Sequence, residues 1–60
     1  MTGRDLGACR SLVDDASRTL ASADVLLGAP DADLRHAERL LLDALNLTLH
    51  ALSLLRGVRS

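Results

Sequence analysis

Apolar residues recur at helical spacing along this chain in two stretches, and one break separates them. At about 100° per residue, Leu6, Cys9, Leu12, Val13, Ala16, Leu20, Ala23 and Leu27 gather on one side of a first helix, with Arg10, Asp14, Asp15, Arg18 and Ser22 turned away. The break is Gly28-Ala29-Pro30-Asp31. Gly28 can end a helix in the left-handed conformation and Pro30 cannot continue one. Asp31 or Asp33 can accept hydrogen bonds from the free N–H groups that open the next helix. The pattern predicts a first helix over about 4–27, a turn at 28–31 and a second helix over about 32–56. Thr2 is placed to cap the first helix, and Gly57, after Arg56, to end the second.

The second helix differs from the first in the breadth of its apolar surface. Leu34, Ala37, Ala44, Ala51 and Val58 join Leu40, Leu41, Leu42, Leu45, Leu47, Leu49, Leu52, Leu54 and Leu55 over roughly 240° of arc. A single neighbouring helix covers part of such an arc, not all of it. Fully burying one leucine is worth roughly 1.5–3 kcal/mol, so four or five left in water forgo on the order of 6–15 kcal/mol. That is comparable with the entire stability of a small domain. The nine leucines from Leu40 to Leu55 are therefore the candidate interaction residues.

Length and composition sharpen this expectation. A short inter-helix loop makes the two helices antiparallel neighbours, and a 60-residue chain buries only about 60% of the surface its unfolded form exposes. Small chains gain support from disulfides, structural metals or oligomerisation. This one has a single Cys and no aromatic residue, and its apolar mass is 15 Leu, 9 Ala and 3 Val. That inventory suits closely packed helices. The fold class expected is all-α: an antiparallel two-helix hairpin, one domain over residues 1–60, that dimerises into a four-helix bundle. Twofold dimers are the commonest homo-oligomers. The expected partner is a second copy of the chain, or else another helical protein.

Charge narrows the partners further. Seven Arg stand against seven Asp and one Glu, no Lys occurs, and the net charge is −1. Each Arg lies near an acid, so the clustered basic face that a nucleic-acid binder needs is missing. The exclusive use of Arg over Lys fits the coding bias of a high-GC bacterium. Leu6-Gly7-Ala8-Cys9 matches a lipoprotein cleavage box, but Arg4 and Asp5 precede it in place of an apolar segment. The glycosylation triplet Asn46-Leu47-Thr48 falls inside a predicted helix. The stretch from Leu40 to Leu55 is short for a bilayer span and contains Asp43 and His50. The expectation is a cytoplasmic protein without a membrane partner.

Candidate chemistry is thin. An antiparallel register sets Cys9 opposite His50, yet Cys9 belongs to the apolar side of the first helix and His50 to the polar strip of the second. A structural zinc needs four ligands, which one Cys per chain does not approach. Along that strip His36, Asp43 and His50 stand roughly 10 Å apart in steps, too far for one metal or one proton relay. The strip reads as a solvated face. No catalytic, cofactor or metal residue is assigned, and the chain is expected not to be an enzyme.

Two architectural resemblances carry alternatives. His36-Ala37-Glu38-Arg39 resembles, over four residues, the phosphoacceptor motif of histidine kinase dimerisation domains, which would imply histidine phosphotransfer. In that family the histidine lies on the first helix and a proline follows, whereas His36 opens the second helix and Pro30 precedes it. The whole chain is also similar in size and layout to Rop-type regulators, dimeric hairpins that bind paired RNA loops; this implies a nucleic-acid-associated role. Fold does not transmit function. The reading adopted from the sequence is a non-enzymatic interaction or oligomerisation module, acting as a scaffold, docking or regulatory subunit.

Overall fold

The computed structural model describes the backbone of residues 3–59, and it is all-helical over two elements, α1 (Gly3–Leu27) and α2 (Leu34–Arg59). They pack against each other as an antiparallel hairpin of 47 × 15 × 10 Å. The radius of gyration is 14.0 Å, against about 10 Å for a compact chain of this length. A rod of two helices, one layer deep, accounts for the difference.

The turn ends α1 by tightening rather than by a left-handed residue. No described glycine has positive φ, contrary to the expectation for Gly28. Its N–H donates to the Asp24 carbonyl at 3.1 Å, continuing the helical ladder, and the Ala29 N–H donates to the Leu26 carbonyl at 3.2 Å. Pro30, which has no N–H, follows. On the far side Asp33 is the residue that caps α2: its Oδ1 accepts the His36 N–H at 3.2 Å and its carbonyl accepts the Ala37 N–H at 3.0 Å. That cap sets the start of α2 at Leu34, later than the pattern of apolar residues indicates. The other end also differs from expectation, because α2 runs through Gly57 to Arg59. With helical φ and ψ at Gly57, no stop signal operates there. The expected Thr2 cap lies outside the described residues.

Between the helices runs a seam of small side chains. The buried residues are Cys9, Ala16 and Ala23 on α1 and Ala37, Ala44 and Ala51 on α2, every seventh position on each. Ala23 and Ala37 are 1% and 2% exposed. Half-buried residues alternate with them: Leu12, Thr19 and Leu26 on α1, Leu40, Leu47 and Leu54 on α2. This 3-4 alternation is a heptad, the period at which two helices wind around each other and keep one seam in contact. Its small members let the backbones approach closely. The Cys9 thiol reaches the Ala51 carbonyl of the other helix at 3.6 Å. The same offset sets Ala16 opposite Ala44 and Ala23 opposite Ala37.

The seam follows one edge of the apolar stripe read on α1, not its centre. Leu6, Val13, Leu20 and Leu27, expected on the covered side, are exposed. Close approach explains this: with Ala against Ala at the buried positions, leucine is only half-buried along the seam, and the strip Leu6, Val13, Leu20 and Leu27 stands to one side.

Two outcomes check this packing. Ala44→Leu should destabilise by about 1–3 kcal/mol or more in urea titrations, since a larger side chain at a buried contact forces the helices apart; a gain in stability would contradict a close seam. At Gly57, where an added Cβ meets nothing within 4 Å, replacement by Ala should raise stability by about 0.5–1 kcal/mol.

Candidate functional site: an uncovered leucine face

Most large apolar side chains lie outside the seam, and the five leucines along it, Leu12, Leu26, Leu40, Leu47 and Leu54, are only half-buried. No large side chain among the described residues is fully buried. Twelve large hydrophobic residues are exposed instead, and eleven of them lie between 38% and 65% exposure. The twelfth, Val25 at 76%, stands apart on the polar side of α1.

The eleven form one surface. On α1, Leu6, Val13, Leu20 and Leu27 recur every seventh residue and make a strip along the helix, beside the seam. On α2 the equivalent strip is Leu34, Leu41, Thr48 and Leu55. In an antiparallel pair with a shared seam, equivalent flanking positions lie on the same side of the hairpin, so the two strips sit edge to edge. On α2 the surface continues around the helix through Leu45 and Leu52 to Leu42 and Leu49. The one polar member, Thr48, donates its hydroxyl to the Ala44 carbonyl at 2.8 Å and presents its methyl side without an unpaired donor. A shallow depression bounded by Glu38, Leu41, Leu42 and Leu45 marks the upper part of this surface.

Of the nine leucines singled out in the sequence, Leu40, Leu47 and Leu54 are half-buried along the seam, while Leu41, Leu42, Leu45, Leu49, Leu52 and Leu55 belong to the exposed face. The α1 strip was not among them. Its signal was present in the sequence as Cys9, Ala16 and Ala23 at intervals of seven: small residues at that spacing fix the seam and thereby push Leu6, Val13, Leu20 and Leu27 out of it.

The opposite side of the hairpin is polar. His36, Asp43 and His50 line it on α2, with Asp15 and Ser22 on the same side of α1. All are exposed, and no group of three metal-binding side chains occurs among the described residues. An open groove of about 550 Å³ near the turn is bounded by Ala21, Ser22, Val25, Leu26, His36 and Leu40. It has one titratable group, His36, and no second one to act with it. Cys9 and His50 are not brought together: the thiol is buried against the Ala51 backbone and the imidazole is exposed on the polar side. An ion pair, Arg18 to Asp14 at 3.0 Å, lies one turn apart on α1 with both side chains well exposed, where such pairs contribute about 0.3–0.5 kcal/mol. No described helix is long and apolar enough to cross a membrane.

Cys9 should accordingly react slowly with a thiol reagent in the folded protein and fast in denaturant; equal rates would place it outside the seam. The double change His36→Gln and His50→Gln should alter stability by no more than about 0.5 kcal/mol, as for exposed residues without specific partners. A larger loss in urea titration would assign the polar side a structural role.

Comparison of the chain with protein-family models, with curated proteins and with solved structures gives no match to any of them.

Proposed function

We propose that this protein is a non-enzymatic interaction module, a helical hairpin whose work is to associate through its leucine face. The observation that carries this reading is the inversion of its packing: Ala and Cys inside, eleven Leu and Val half-exposed on one continuous surface. A contiguous apolar patch of that extent on a small protein marks an interaction site. Covering eleven side chains that are each about half-exposed is worth roughly 8–16 kcal/mol. A 60-residue domain has about 3–9 kcal/mol of stability in all. Association is therefore on the scale of folding itself, and the hairpin and its assembly form together.

The area points the same way. The hairpin exposes 4765 Å². A compact monomer of 6.4 kDa exposes about 3800 Å². The excess of about 1000 Å² is close to the roughly 800 Å² that each partner buries in a standard interface. The polar side offers exposed charges of both signs and shallow relief, features that suit solvation rather than catalysis.

Replacing two leucines in the middle of the face tests the reading. Leu45 and Leu49 are half-exposed in the hairpin, and at solvated positions a change to Glu alters stability by no more than about 0.5 kcal/mol. In an interaction module, Leu45→Glu with Leu49→Glu should reduce the sedimenting mass to that of one chain and collapse the helical circular dichroism. Unchanged mass and helicity would remove the face from any role in assembly.

A further inference from the structure

We infer that the leucine face is covered by a second copy of this chain, laid on with its turn over the open end of the first. This rests on the reading above and specifies the partner and the orientation. The excess surface matches what a dimer interface removes, and a face of Leu and Val with no charge at its centre is complementary to itself, as a twofold contact requires.

Orientation follows from two features of the surface. The first is charge along the rod. The turn end, residues 24–39, holds Asp24, Asp31, Asp33 and Glu38 against Arg35 and Arg39. The open end holds Arg10 and Arg56 against Asp5. Copies stacked with their turns together would set acidic end on acidic end and basic on basic. With turns opposed, each end meets its opposite. Exposed charges add little affinity, but like-charge juxtaposition is what selects against a wrong orientation.

The second feature is the unequal breadth of the two apolar surfaces. Stacking two hairpins with turns opposed sets α2 on the partner's α2 and α1 on the partner's α1, whereas turns together sets α2 on the partner's α1. The helical position next outward from the two strips is Glu38, Leu45 and Leu52 on α2, but Arg10, Ser17 and Asp24 on α1. Turns together would bring Leu52 over the partner's Arg10 and Glu38 over the partner's Asp24, a leucine on a cation and an acid on an acid. Turns opposed brings Leu45 onto the partner's Leu45 at the centre, sets Leu52 level with the partner's Glu38, and places Arg10 within about one helical turn of the partner's Asp24 at the edge, with no acid on an acid. Charge and apolar breadth select the same arrangement.

Spin labels on cysteines placed at Gly28 and Gly7 distinguish the orientations, in a chain carrying Cys9→Ala. Both glycines accept a side chain: at Gly28 an added Cβ makes ordinary contacts of 3.6 Å, and at Gly7 it meets nothing within 4 Å. In the opposed dimer two labels at Gly28 should lie about 39 Å apart along the rod, from ~1.5 Å per residue. A mixture of chains labelled at Gly28 and chains labelled at Gly7 should show a short distance, within about two helix diameters of 10–12 Å each. The reverse pattern, Gly28 close to Gly28 and far from Gly7, in a protein that sediments as a dimer, would overturn the orientation and leave the interaction module standing. A folded monomer by sedimentation of the unlabelled wild-type chain would overturn the second copy as the occupant.

Discussion

Small residues at alternate seam positions bring the two helices close together, and the rest of the structure depends on that contact. Cys9, Ala16 and Ala23 meet Ala51, Ala44 and Ala37 along one seam, and the Cys9 thiol touches the opposing backbone. Small side chains give up buried area in return for close approach. Most of the leucines, which carry most of the apolar mass of the chain, are displaced to one side. They line that side in two parallel strips and continue around the outside of α2.

On the proposed reading, a fold built this way is incomplete as a single hairpin. Its core contains no leucine, isoleucine, valine or aromatic residue among the buried positions, whereas stable small domains rely on burying such side chains. Local signals are sound: Asp33 caps α2, Pro30 lies in the turn, and the Thr19 and Thr48 hydroxyls are satisfied by carbonyls four residues back. These define where the helices begin and how they turn, and isolated helices remain marginal in water however well they are capped. On the proposed reading, what holds them comes from covering the leucine face. In this view the hairpin is half of a bundle whose other half is supplied from outside the chain.

The hairpin itself was legible in the sequence because Gly28-Ala29-Pro30-Asp31 is strong punctuation and the apolar periodicity on each side is helical. The breadth of the apolar arc on α2 was legible for the same reason. Less so was the direction each helix faces. A wheel that weighs residues by hydrophobicity centres on leucine, so it turned Leu6, Val13, Leu20 and Leu27 inward. The structure turns alanine inward, because the distance between helices is set by the smallest residues that repeat at the contact and not by the most hydrophobic ones. Two terminal signals misled in a related way. The sequence admits a left-handed Gly28 and a stop at Gly57, but glycine permits those conformations without imposing them: Gly28 has no positive φ and Gly57 lies inside α2.

The central claim, that folding and covering of the leucine face are one event, is tested most directly by following urea unfolding of the unmodified chain by circular dichroism over a hundredfold range of protein concentration. If the folded state is a dimer, each tenfold dilution should lower the apparent unfolding free energy by about 1.4 kcal/mol of dimer, and the midpoint should fall with it. A midpoint that stays constant across the range, in a chain that remains helical and monomeric at the lowest concentration, would show that the alanine seam sustains the hairpin alone and would contradict the account.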